Sequence, residues 1–246
     1  MSELRGDWVD LRIDSATGIE TIRAHFDGHA YDPHWHDSYL IGVTEQGVQQ
    51  FNCRRQRHTS IPGSTFLLEP GELHDGDTGH QSGFTYRMLY LPQQWLNQQL
   101  SLLFDNTPDN FEMTINATMT DDRQLAVAVS QAFLSLHLGE CKLLRDGSLD
   151  RMLELMTAYL DWRKSPPEHK ECSDRVLRIQ EYLHASLYDD IGLKDVAMQV
   201  GLDRYQLTRL FKQSFGIPPH AYLVQLRLVE ARRLLSRACT PADVAS

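Results

Sequence analysis

Three imidazoles stand where they could act together: His34-Trp-His36 and, after Gly71-Glu-Leu, His74. Side chains two apart on a strand project to the same side. His34 and His36 would share a face, and His74 could join them from a neighbouring strand. Neutral imidazoles so placed can ligate Fe, Zn or Mn, exchange hydrogen bonds with an organic molecule, or cap turns at a barrel rim. A second set lies near the other end. On a helix, Leu207, Leu210, Phe211 and Ser214 fall on one face, while Arg204, Tyr205, Thr208, Arg209 and Lys212 point away. Arg209 suits bidentate readout of guanine O6/N7, and Tyr205 and Thr208 suit base edges or a thymine methyl. Arg204 and Lys212 suit phosphates, which fix register without reading sequence. A generic helical hairpin with a solvated basic face is the alternative. No Ser-His-Asp or Cys-His arrangement and no Gly-rich phosphate loop stands out.

The elements that would position these groups fall into stretches. Residues 1–91 hold short apolar runs, YLIGV (39–43), STFLLEP (64–70) and FTYRMLYL (84–91), between Gly/Pro turns. That spacing predicts a small barrel or sandwich. In FTYRMLYL, Tyr86, Met88 and Tyr90 share one face and Arg87, Leu89 and Leu91 the other. Arg87 inside would suit an anionic effector, and Tyr86 and Tyr90 inside an aromatic or sugar-like one. Residues 92–162 show apolar steps of three and four and predict amphipathic helices. Residues 163–174, polar with two prolines, predict a linker. Residues 175–246 are again helical. Within them a helix is predicted over 193–200, with Val196, Ala197 and Val200 buried. Gly201 follows at a position tolerant of positive φ, then Asp203 as N-cap of a helix from Arg204.

Charge divides along the same line. The 246 residues carry 24 basic and 33 acidic side chains, net −9. Residues 204–237 hold seven basic groups against Glu230 alone, which suggests a polyanion partner for the C-terminal part. No stretch approaches the ~20 apolar residues of a membrane span, and the N-terminus has no apolar core of a secretory signal. Cys53, Cys141, Cys172 and Cys239 form no CxxC pair. A reduced, cytoplasmic protein is expected.

The run GLKDVAMQVGLDRYQLTRLFKQSFGIPPHAYLVQLRLVEARRLL (192–235) resembles the AraC/XylS family of bacterial transcription regulators. The matching positions include Leu193, Asp195, Ala197, Gly201, Leu207, Arg209, Phe211, Pro218, Tyr222, Arg227 and Leu235. The resemblance implies that the helix from Arg204 is a recognition helix with Tyr205, Thr208 and Arg209 facing bases, and that the helix after Pro218-Pro219 joins two helix-turn-helix units. Thr240, Pro241 and Asp243 look like the capped start of the second unit, so the chain is expected to be truncated there and to bind its operator poorly. His34-Trp-His36, Gly47 and Gly71-Glu-Leu-His74 resemble the two cupin motifs, a sensor type that many such regulators carry. The metal-binding cupin pattern also has a carboxylate shortly after the paired histidines, where Ser38–Ile41 has none; Glu69 or Glu72 could substitute.

The fold expected is α+β multidomain: a cupin-like β-barrel (1–91), middle helices (92–162), a linker (163–174) and an all-α helix-turn-helix domain (175–246). The function expected is a ligand-responsive, sequence-specific DNA-binding regulator, not an enzyme. His34, His36 and His74 would bind a small-molecule effector, with no metal and no cofactor. Arg204, Tyr205, Thr208, Arg209 and Lys212 would bind double-stranded promoter DNA. By the resemblance, the middle helices imply a homodimer. RNA polymerase would be a further partner of an activator, and no membrane is involved. The alternatives are a metal-dependent cupin enzyme with structural C-terminal helices and an adaptor whose basic helices bind an acidic protein.

Overall fold

The computed structural model describes residues 6–79, 83–104, 111–164 and 174–236. The chain divides into two compact units, Met1–Ser165 and Pro166–Ser246.

The first unit opens with nine strands: β1 (Trp8–Ile13), β2 (Glu20–Phe26), β3 (Tyr31–His34), β4 (Tyr39–Gly47), β5 (Gln49–Cys53), β6 (Gln56–Ser60), β7 (Thr65–Leu68), β8 (His74–Thr78) and β9 (Phe84–Leu91). Then come α1 (Gln93–Leu103), β10 (Phe111–Ile115), β11 (Met119–Thr120), α2 (Arg123–His137), α3 (Lys142–Met156), a 3-10 turn (Thr157–Tyr159) and β12 (Leu160–Lys164). One sheet runs β1-β2-β9-β4-β7-β11 and faces a second, β3-β8-β5-β6. Between them Ala24, Leu40, Phe51, Phe66, Phe84, Tyr86, Met88 and Tyr90 form one core. The first sheet turns its other face to the helices, where Ile41, Val43, Leu67, Leu89 and Leu91 pack with Leu125, Val129, Phe133, Leu149 and Met152.

The alternation of β9 is thereby resolved. Tyr86, Met88 and Tyr90 face the barrel interior, and Leu89 and Leu91 lie under the helices. Arg87 is outside the barrel: Nη2 donates to Glu45 Oε1 at 2.6 Å, and the guanidinium lies 5.8 Å from the Phe133 ring centre. At Gly42 on β4 a Cβ would run into the Phe66 ring and stand 2.8 Å from the Arg87 carbonyl, so this strand crossing is built around a missing side chain.

Residues 92–162 depart from the all-helical reading. Three helices lie there, but β10 pairs antiparallel with β12, Phe111 opposite Lys164 and Ile115 opposite Leu160. Arg163 and Lys164, read as the start of a linker, belong to this ribbon, and α4 begins at Asp174. Residues 165–173 lie outside the described residues.

Among the described residues, the second unit holds α4 (Asp174–Ala185), α5 (Leu193–Val200), α6 (Arg204–Phe215) and α7 (Pro219–Ser236). Val176, Ile179, Leu183, Val196, Ala197, Leu207, Phe211, Tyr222 and Leu226 are buried in it. Pro219 occupies the first position of α7, where its missing N–H leaves no bond unmade. Arg227 donates to the carbonyls of Leu187 (2.9 Å) and Asp189 (2.6 Å), so this cation clamps the turn between α4 and α5. The stub read as a second helix-turn-helix, Cys239–Ser246, lies outside the described residues.

Candidate functional site

Strand pairing sets His34 of β3 directly opposite His74 of β8, and His36 follows two residues after His34. Ring centres lie 4.5 Å apart for His34 and His74, 4.8 Å for His34 and His36, and 5.3 Å for His36 and His74. One ring nitrogen of each falls within 4.8 Å of those of the other two. All three predicted histidines therefore form one cluster.

Hydrogen bonding fixes which nitrogens are available. His34 Nδ1 lies 2.8 Å from the Asp32 carbonyl and His74 Nδ1 2.9 Å from the Glu72 carbonyl. A carbonyl only accepts, so each Nδ1 carries the proton and each Nε2 offers a lone pair. His36 Nε2 is buried without a hydrogen-bond partner. Burial lowers all three imidazoles and keeps them neutral, and repulsion from neighbouring rings adds to it for His36, down to about 3, and His74, down to about 4; His34 is lowered by burial. Aromatic edges wall the cluster, Tyr31 at 4.9 Å from His34 and Tyr90 at 5.0 Å from His36. Burial pushes the Tyr31, Tyr86 and Tyr90 phenols up, so they stay protonated. The site is uncharged, rich in acceptor nitrogens and flanked by aromatic rings. It can accept hydrogen bonds from a donor-bearing molecule, and its three nitrogens match a facial ligand set for a divalent metal.

Glu69 and Glu72 do not supply a fourth group. Arg54 takes both carboxylates, Nη2 on Glu69 at 2.6 Å and Nε on Glu72, while Nη1 donates to the Ile115 carbonyl at 2.8 Å. Arg54 and Arg55 have φ of 51° and 63° and form the tight turn between β5 and β6, which aims Arg54 at these carboxylates. Among the described residues, the metal-competent group holds the three histidines alone. Tyr31, whose hydroxyl accepts from Gln49 Nε2 at 3.3 Å, was not singled out from the sequence. Its place three residues before His34, on the same short strand, is the signal that could have found it.

The second predicted set is built on α5, a tight turn and α6. Gly201 has φ 64° and ψ 40°, a conformation open to glycine at no steric cost. Asp203 Oδ1 accepts from the backbone N–H of Tyr205 (2.7 Å) and Gln206 (2.9 Å), and Gln206 Oε1 accepts from the Asp203 N–H (3.3 Å). This reciprocal cap starts α6 at Arg204. Leu207 and Phe211 are fully buried, which forces Arg204, Tyr205, Arg209 and Lys212 outward, all exposed. Thr208 is half-buried, and its hydroxyl donates to the Arg204 carbonyl at 2.8 Å. Arg204 Nη2 donates to the Tyr205 hydroxyl at 2.7 Å, its guanidinium 4.7 Å from that ring's centre. Ser214, expected on the buried face, is exposed, and its hydroxyl donates to the Leu210 carbonyl at 3.2 Å.

Comparison with known proteins agrees with this arrangement. The chain is 25% identical over 244 residues to the HTH-type transcriptional regulator YbfI of Bacillus subtilis, covering 96% of this chain and 84% of that protein. It is 25% identical to the arabinose operon regulatory protein of Salmonella typhimurium, over 82% of this chain and 72% of the relative. Among solved structures, ToxT from Vibrio cholerae O395 is similar in fold, with a TM-score of 0.53 at 8% identity over 91% of this chain and 84% of that one. Residues 177–246 match the family model of a helix-turn-helix domain. Residues 16–160, more than half of the chain, match that of the AraC-like ligand binding domain. Histidine-bearing barrel and capped helix pair thus belong to one architecture, and the chain is a member of the AraC family of transcriptional regulators.

Proposed function

We propose that the protein is a ligand-responsive, sequence-specific regulator and not an enzyme. Its barrel binds a small uncharged effector at His34, His36 and His74. Arg204, Tyr205, Thr208, Arg209 and Lys212 bind double-stranded promoter DNA, Tyr205, Thr208 and Arg209 toward bases and Arg204 and Lys212 toward phosphates. Effector binding shifts the population of DNA-competent states. The observation that carries the reading is the cluster of three neutral imidazoles with unprotonated nitrogens, in a chain that also bears a capped helix with its cations outward. Tyrosines beside that cluster favour an effector with hydroxyl donors and a face that stacks on aromatic rings, phenolic or sugar-like. The name of the Salmonella relative, an arabinose operon regulator, points the same way.

A homodimer through the middle helices fits the exposed apolar residues of α2 and α3, among them Val127, Leu143 and Leu144, and Leu138 just past α2. RNA polymerase is a further partner if the protein activates. A cytoplasmic location accords with DNA as target, and among the described residues no helix is long and apolar enough to cross a membrane.

The test is a thermal-shift screen of neutral sugars, polyols and phenols, followed by DNA titration with each hit. A compound that stabilises wild type but not His74→Ala, and changes DNA affinity in wild type alone, supports the reading. A compound that binds the barrel yet leaves DNA affinity unchanged overturns it. The free imidazole nitrogens favour one second reading, a metal-dependent barrel. Stoichiometric Fe, Zn or Mn together with turnover would establish it.

A further inference from the structure

Strand β1 is the edge of the six-stranded sheet, paired with β2 on one side only. Among the described residues nothing pairs with its outer edge. Its side chains alternate: Val9, Leu11 and Ile13 on one face, Asp10 and Arg12 on the other. The apolar three are 57, 46 and 55% exposed. An exposed apolar strand with unpaired N–H and C=O groups is a template for pairing, which soluble proteins otherwise blunt or cover. The two charges between them already lie 3.7 Å apart on this strand, and an antiparallel copy would present each with its opposite. Laid antiparallel on a second copy with Leu11 opposite Leu11, Val9 meets Ile13, and Asp10 meets Arg12, twice by symmetry.

We infer that β1 pairs antiparallel with β1 of a second copy of this chain, register centred on Leu11, joining the two six-stranded sheets into one. This rests on the reading of the protein as a homodimer and names part of the surface that forms it. A two-fold contact must be self-complementary, and opposite charges set directly across strands stabilise while like charges destabilise. The free edge is also continuous with the exposed helical surface. His137 at the end of α2 bonds Asp10 through Nε2 at 3.1 Å, and Arg145 of α3 pairs with Asp14 just past β1. Beside those anchors Leu138, Leu143 and Leu144 are 61, 84 and 53% exposed. The free edge thus offers a second copy hydrogen bonds and charge matching, with Val9, Leu11 and Ile13 on the face of the sheet turned away from the helix hairpin.

Register-specific cross-linking tests this. In the full chain with Cys141, Cys172 and Cys239 changed to Ser, single cysteines replace Val9, Leu11 or Ile13. Directly opposed residues of antiparallel strands have Cα atoms ~4.5–5.5 Å apart, within disulfide reach. Val9 and its own copy would be about four residues out of register, ~13 Å, beyond it. Under mild oxidation Leu11→Cys should link to itself, Val9→Cys should link only when mixed with Ile13→Cys, and neither of those two alone should link. Arg12→Glu, exposed and away from the core, should raise the dimer dissociation constant about tenfold while circular dichroism stays unchanged. A dimeric mass by light scattering without the Leu11→Cys link would overturn the inference and leave the homodimer standing. A monomeric mass at tens of micromolar would remove both. Self-linking of Val9→Cys as efficient as that of Leu11→Cys would overturn the register.

Discussion

Lowering the pH should unfold the barrel through its histidines. His74 is 5% exposed, and burial together with neighbouring His34 holds its imidazole down to about 4. In the unfolded chain a histidine titrates near 6.5. Between these values the unfolded state binds more protons than the folded one, so stability falls as pH falls. The contribution is complete above ~6.5 and shrinks by ~1.4 kcal/mol per unit down to ~4. At pH 5 the loss from His74 is therefore ~2 kcal/mol. His36 and His34, both lowered, act in the same direction and make that figure a floor. The assay is urea unfolding followed by tryptophan fluorescence. Trp8, Trp35, Trp95 and Trp162 all belong to the first unit, so the signal reports that unit alone. His74→Asn removes one titrating ring, and its stability should depend on pH less steeply than wild type by ~1.4 kcal/mol per unit between pH 6 and 5. Parallel curves for the two proteins would refute the reasoning.

Arg209→Ala should weaken specific DNA binding by about 1–3 kcal/mol and relax preference at one base pair, read by competition among duplexes. Lys212→Ala should weaken binding to all duplexes alike and reduce the slope of log affinity against log salt by about one. Asp203→Ala removes two bonds at the start of α6 and should cost about 1–2 kcal/mol, seen as faster hydrogen exchange of the Leu207 and Phe211 amides. Gly42→Ala should destabilise the first unit by about 1–3 kcal/mol, because Phe66 and the Arg87 carbonyl leave no room for a methyl group; an unshifted urea midpoint would count against it.

What could be read from the residues was whatever local chemistry decides. Gly201 and Asp203 mark the end of α5 and the start of α6, since a left-handed turn and a side-chain cap each depend on one or two residues. The histidine cluster was legible from the two-residue spacing of His34 and His36, although β3 ends at His34 and His36 joins it from the segment just beyond. Where the outcome depended on partners distant in sequence, the residues were silent. Both faces of β9 are buried, so alternation alone could not tell Tyr86 and Tyr90 from Leu89 and Leu91. The direction followed from α2 covering one face. Strands β10 and β12 pair across some 45 residues, and neither has enough apolar alternation to announce itself. Glu69 and Glu72 sit close to His74 in sequence, yet the Arg54 turn draws them away from the imidazoles. Arg227, one of the basic groups that suggested a polyanion partner, is spent on carbonyls within its own unit.

The central claim, that α6 reads DNA sequence, is met most directly by selection from a random duplex library. The full chain is used at low salt, beside Arg209→Ala. The account predicts that wild type enriches one defined site and that the variant loses preference at a single base pair within it. Enrichment of no sequence by wild type, or the same site recovered unchanged by Arg209→Ala, would contradict it.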